Sequence, residues 1–247
     1  MSFHLYRHTK QTHNHMKKTI MLAASAALLG SVQAATISVN FTEDAGRANQ
    51  QLGAADLAGR TGYEQTNWNN VASNVAGPSL DLIDSTGATT TADVSWATTN
   101  VWGDGTANTD ADAGVGNARI ARGYKDDVGD GADFTVTNIG YATYTAVLYF
   151  STDAGGGTYG NFTVNGVGPQ TSTGTKEQYG TNPIWDDTNS LVITGLTGDL
   201  VVDGTRDGAN RATIAGFQII DTTAIPEPTS TALLGLGGMA LILRRRK

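Results

Sequence analysis

The chain contains no cysteine, and its four histidines, His4, His8, His13 and His15, all stand before Met16. From Met16 onward the commonest tools of catalysis are therefore missing. A thiol nucleophile, a Ser-His-Asp or Cys-His relay, a histidine-ligated zinc and an imidazole proton shuttle all need residues that this region lacks. Disulfides are excluded too, so the fold must hold through its own core. Glutamate is scarce: between residues 35 and 225 only Glu43, Glu64 and Glu177 occur, and nearly every aspartate sits in a turn context, where bonding to its own backbone accounts for it. A two-carboxylate glycosidase needs no histidine but finds little here to draw on. The sequence reads as non-catalytic and without a cofactor.

Basic residues are also few where they matter. Eight of the sixteen Lys and Arg lie at the two chain ends (Arg7, Lys10, Lys17, Lys18 and Arg244 to Lys247), against one of the 23 acids, Glu227. Residues 35–225 keep 22 acids and 8 bases, a net charge of −14. Such a field repels phosphate backbones, so a nucleic-acid partner is excluded, while solubility and divalent cations are favoured.

What is present divides the chain into parts. Lys17-Lys18, an apolar run from Thr19 to Val32 and the small-residue site Val32-Gln33-Ala34 have the three-part form of a secretory signal peptide. Signal peptidase is the implied partner, cutting between Ala34 and Ala35. Residues 1–15 add nothing that such a peptide requires, which places the start at Met16 and the signal peptide at 16–34.

Residues 35–225 hold β-branched and aromatic residues alternating with polar ones in short runs, separated by Gly, Asn and Asp. Strands are predicted at 36–41, 80–83, 89–96, 133–139, 143–150, 160–164, 190–193, 200–202 and 213–220. Asn165-Gly166 is a type I′ hairpin signal, because both residues take φ > 0 cheaply, and Gly195-Leu196-Thr197-Gly198 marks a second turn. Residues 43–58 are rich in Ala, Gln and Leu and are a candidate helix, weakened by Gly46 and Gly53. Antiparallel hairpins follow rather than βαβ crossovers. The expected fold is all-β: a single antiparallel β-sandwich of jelly-roll or galactose-binding-like type, with long loops at one end.

The C-terminus carries Pro226-Glu227-Pro228, then 15 mainly apolar residues from Thr229 to Leu243, then Arg244-Arg245-Arg246-Lys247. The two prolines lock φ and remove two backbone donors, which keeps this segment extended. As a helix the apolar run measures roughly 22 Å against roughly 30 Å for a bilayer core, so it barely spans. The basic tail stays on the cytoplasmic side and leaves the rest of the protein outside.

These residues resemble the PEP-CTERM sorting signal of Gram-negative bacteria, with its Pro-Glu-Pro, its Leu/Gly/Ala-rich helix and its terminal Arg cluster in the same order. The resemblance covers residues 226–247. It implies processing by an exosortase that reads Pro226, Glu227 and Pro228, transient or retained inner-membrane anchoring through residues 229–243, and a host that makes exopolysaccharide. The order of Ile-Ser-Val-Asn-Phe, Trp-Asn-Asn, Tyr-Thr-Ala-Val-Leu-Tyr-Phe and Ile-Ala-Gly-Phe-Gln-Ile-Ile also resembles exported bacterial β-sandwich proteins of unassigned role, and supplies no catalytic residues.

Two constellations in the central region point to ligands. In the loop from Trp102 to Gly114, Asp104, Asn108, Asp110 and Asp112 offer a hard cation such as Ca2+ several oxygens, with Asp126, Asp127, Asp130 or Asp133 as further candidates. The spacing is not that of an EF-hand, since Ala113 and Arg119 stand where the turn Gly and bidentate Glu belong. Trp102 and Trp185 lie in loop-type sequence, where a flat apolar face can stack on sugar rings, whereas Trp68 and Trp96 are expected to pack against the sheets. The sequence as a whole reads as an exported surface or matrix protein, associated with exopolysaccharide, with a carbohydrate-binding module as the alternative.

Overall fold

A computed structural model describes residues 34–43, 48–72, 74, 77–96, 100–103, 116–126, 131–152, 160–171, 184–206 and 211–223. Its first strand shows how the alternation works. In β1 (Thr36–Thr42), Ile37, Val39 and Phe41 enter the main core, while Thr36, Ser38, Asn40 and Thr42 point to the other face. Both faces are covered, for all seven residues are buried.

Eleven further strands follow: β2 (Asn69–Ala72), β3 (Asp93–Ser95), β4 (Val101–Gly103), β5 (Gly123–Lys125), β6 (Phe134–Thr137), β7 (Tyr144–Tyr149), β8 (Asn161–Val164), β9 (Val167–Gln170), β10 (Ser190–Leu196), β11 (Leu200–Thr205) and β12 (Gly216–Asp221). They form one sheet in the order β10-β7-β12-β1-β2, a second in the order β3-β6-β11-β8-β9, and a β4-β5 ribbon. All pairs are antiparallel except β1 with β2. The single described α-helix is α1 (Asn117–Ile120). The described residues all fall within one compact unit, Ala34–Ile225.

The two five-stranded sheets contribute side chains to one core. Phe217 of β12 stacks on Phe134 of β6 with ring centroids 4.7 Å apart, and Phe150 stacks on Phe162 of β8 at 4.9 Å. Phe41 meets Phe134 edge-on at 5.7 Å. A second cluster covers the opposite face of the first sheet and includes Val147, Tyr149, Trp68, Trp185, Tyr124 and Ile120. In β7, consequently, Tyr144, Ala146 and Leu148 face one core and Val147 and Tyr149 the other.

Several expectations change. Residues 80–83 and 89–96 supply only β3 and the isolated bridges Ser79↔Val94 and Ile83↔Thr89. The candidate helix at 43–58 is a single 3-10 turn at Ala48–Gln50 among its described residues. Asn70 accounts for part of this: its amide accepts from Leu52 N–H at 2.9 Å and donates to Leu52 O at 2.8 Å, occupying the backbone groups that a helix would use. Asn165-Gly166 turns β8 into β9 with φ of 50° and 74°. Gly195 to Gly198, by contrast, carries the chain from the first sheet to the second, because β10 and β11 lie in different sheets.

Strand registers also fix the two ends of the domain. Thr36 pairs with Ile220, and Asp221 N–H donates to Ala35 O at 2.9 Å, so the domain begins and ends at the same pole. The Asn165 turn lies there too, with Asn165 N–H bonded to Val201 O at 2.8 Å. At the far pole, Ala132 N–H donates to Ala212 O at 2.8 Å, Asp126 N–H to Asn100 O at 3.1 Å and Phe150 N–H to Asn189 O at 3.0 Å. Residues bordering the long connections thus meet one another there.

Candidate functional site

The face of the first sheet turned away from the main core is polar at its centre and is closed by side-chain hydrogen bonds. Tyr149 of β7 donates to Gln218 Oε1, and Gln218 Nε2 donates to Ser38 Oγ and to Tyr63 O, both at 3.0 Å. Arg60 ties this network to the edge: its N–H donates to the Tyr149 hydroxyl at 3.0 Å, while its guanidinium donates to Ser190 Oγ at 3.1 Å and pairs with Asp187 at 2.5 Å. Burial pushes the Tyr149 phenol above its ordinary range, a shift that Arg60 partly opposes, so it stays protonated as a donor. Burial likewise pushes Tyr141 up to about 12, with Asp84 and Asp221 adding to the effect.

The Trp-Asn-Asn segment is explained by clamping. Asn69 of β2 accepts from Ile83 N–H at 2.8 Å and donates to Ile83 O at 2.8 Å, as Asn70 does with Leu52. Two side-chain amides thereby imitate a neighbouring strand, and Trp68 is buried beside them with its Nε1 donating to Gln65 O at 3.0 Å. Asn40, buried in β1, donates to Gln50 O at 2.6 Å and to Asn70 Oδ1 at 3.0 Å. These groups hold backbone segments together, with no nucleophile set against a base.

The sequence-predicted sites fall in three places. Ala34 and Ala35 are described and half-buried at the start of β1, where Ala34 O accepts from Thr36 Oγ1 at 3.3 Å. Asp104, Asn108, Asp110 and Asp112 lie outside the described residues, as do Asp127 and Asp130, and so do Pro226, Glu227, Pro228, the apolar run 229–243 and Arg244, Arg245, Arg246 and Lys247. Asp126 and Asp133 are already engaged: Asp126 pairs with Arg211, and Asp133 Oδ1 accepts from Gly204 N–H at 2.8 Å. Among the described residues no three His, Cys, Asp or Glu side chains are grouped to hold a metal, and no helix is long and apolar enough to cross a membrane.

The tryptophans divide in a way that corrects the sequence reading. Trp102 of β4 is half-buried and stacks on Tyr124 of β5, with centroids 5.6 Å apart and planes inclined by 16°. Trp185 is 2% exposed and meets Tyr149 edge-on at 5.1 Å. A ring covered in this way has no face to offer a sugar, so Trp185 is a core residue. Trp96 packs on the main core, edge-on to Phe41 at 6.2 Å, with the buried Lys125 ammonium 5.8 Å from its ring centroid. Arg60 and Gln218, the centre of the polar network, have no local sequence signal.

Comparison with known proteins adds one result at the C-terminus. The family described as PEP-CTERM protein-sorting motif matches residues 224–247. That motif is the recognition signal for exosortase processing and marks a sorted, exported protein associated with the membrane of the cell envelope. No curated protein and no solved structure matches the chain.

Proposed function

We propose that the protein is a non-catalytic component of the cell surface or extracellular matrix, exported through residues 16–34 and sorted through residues 226–247. The motif match at 224–247 carries this reading. The cargo between the signals is an acidic β-sandwich of jelly-roll or galactose-binding-like type, whose two sheets face each other across the Phe41, Phe134 and Phe217 core. Its Arg60, Tyr149, Gln218 and Ser38 side chains are spent on one another, its charge suits an exposed and hydrated location, and its association is with exopolysaccharide. In an exosortase-bearing host, the full chain should fractionate with the envelope or the surface polysaccharide. A chain ending at residue 223 should leave that fraction; an unchanged distribution of the two forms would overturn the proposal.

The half-buried Trp102, stacked on Tyr124, favours a second reading: a sugar-binding module, assisted by Ca2+ held at Asp104, Asn108, Asp110 and Asp112. This reading expects the protein to bind on a glycan array in calcium and to lose that binding with chelator and with Trp102→Ala. Absence of binding to any glycan would eliminate it and leave the structural role standing.

A further inference from the structure

Each five-stranded sheet has two edges, and an edge left open is a template for a further strand. Three of the four are guarded. At β2, Asn69 and Asn70 hold the backbone of Ile83 and of Leu52 against the strand through paired amide bonds. At β3, Ser79 and Val94 exchange N–H to carbonyl bonds of 2.8 and 3.0 Å. At β9, Pro169 has no N–H to give. The fourth edge, β10, has none of these devices among the described residues. Its sequence, Ser-Leu-Val-Ile-Thr-Gly-Leu, contains no charge and no proline. Leu191, Val192 and Ile193 are only half-buried and Thr194 is exposed, whereas the neighbouring β7 is buried throughout.

We infer that β10 is a dimerisation edge, on which a second copy of this chain pairs its own β10 antiparallel about a two-fold axis through Val192. The backbone groups are placed for it. Phe150 N–H donates to Asn189 O and Ala215 N–H to Tyr149 O, so Tyr149 faces β12, and by alternation Leu191 and Ile193 bond β7 while Ser190, Val192 and Thr194 turn outward. Ser190 N–H is taken by Asp186 O at 2.9 Å, which leaves Ser190 O and both groups of Val192 and Thr194 for the second copy. The side chains match themselves. In this register Val192 opposes Val192, Leu191 opposes Ile193 and Ser190 opposes Thr194, so aliphatic meets aliphatic and hydroxyl meets hydroxyl. Leu191 and Ile193 already pack on the main core and Val192 on the second cluster, and both layers continue across the axis. Charge selects the place, because two domains of net charge −14 repel one another except along an uncharged strip, and the ion pair beside β10, Arg60 with Asp187, is balanced. The guarded β2 edge stops the same sheet from adding a third copy, so the assembly closes at two. The bulge between Ile193 and Leu196 ends the regular run without interrupting Ser190 to Ile193.

The chain has no cysteine, so one introduced thiol reports on one place. In the full chain held in detergent, Val192→Cys should give a disulfide-linked dimer under mild oxidation, because residues opposed in such a pair have Cα atoms about 5.5 Å apart, within reach of the bond. Thr205→Cys, exposed on β11 of the other sheet, should stay monomeric. Equal cross-linking at both positions, or none at 192 in a folded variant, would overturn the proposal. A second measurement uses the unaltered chain and does not depend on how position 192 tolerates substitution. Hydrogen exchange at the Val192 and Thr194 amides should slow several-fold as protein concentration rises, while the Leu191 amide, bonded within the sheet, should not change. Exchange at 192 and 194 that is indifferent to concentration would overturn the pairing.

Discussion

Trp185→Ala should lower the stability of the folded domain by about 3–5 kcal/mol, the usual cost of removing a buried tryptophan. The indole is 2% exposed, lies edge-on to Tyr149, and belongs to the cluster that also holds Trp68, Tyr124 and Ile120. Removing it leaves a cavity against Tyr149, whose hydroxyl anchors both Arg60 and Gln218, so the polar network loosens with the packing. Trp102→Ala should cost far less, on the order of 1 kcal/mol, because its half-buried ring gives up mainly one stacking contact. Urea unfolding of the two variants side by side measures the difference. Equal losses would show that the two rings are equally covered and would restore Trp185 as a loop aromatic.

Gly216→Val should prevent folding altogether, with a loss above about 4 kcal/mol. Gly216 opens β12 opposite Asn40, and a Cβ added there would fall 2.4 Å from the Val39 carbonyl oxygen. That obstacle is backbone in the middle of a sheet, buried on both faces of β1, so it cannot move aside as a flexible side chain would. Gly166→Ala is the matching control: it has nothing within 4 Å, and its φ of 74° should cost only about 1 kcal/mol. Circular dichroism and solubility of the two variants separate close approach from backbone strain. A folded Gly216→Val protein would show that β1 and β12 are not in the described register.

The sequence exposes those elements whose reason is local. β1, β7 and β12 alternate or run apolar because each is central and buried, and Asn165-Gly166 announces its turn because few other pairs accept two positive φ values. β9 is obscured by its own Gly168 and Pro169, which read as a breaker although an edge strand tolerates them. β2 is hidden for another reason. It pairs in parallel with β1, and Asn69 and Asn70 look like loop residues until their amides are seen bonding Ile83 and Leu52. The Asp, Asn and Pro neighbours of Trp185 give it the look of a loop residue, whereas its burial depends on Tyr149, far away in the chain. Arg60 likewise meets Tyr149 across 89 positions and Ser190 across 130, separations at which no pattern of neighbours is informative. The C-terminal motif is legible for the opposite reason, since a linear signal is read by another protein along the chain and needs no tertiary partner.

The place of β12 sets a timetable for the fold. It is the last strand in the chain, yet it occupies the middle of its sheet, between β7 and β1. Until it arrives, that sheet exists as two fragments, β10-β7 and β2-β1, and Gln218 has yet to reach Ser38 across 180 positions. Closing so long a loop is slow, and here it is obligatory. This wiring keeps the first sheet open until the final strand is available to pair. The strand that completes the sheet ends at Asp221, three residues before the sorting motif begins at 224, so nearly the whole chain must be present before the domain can close.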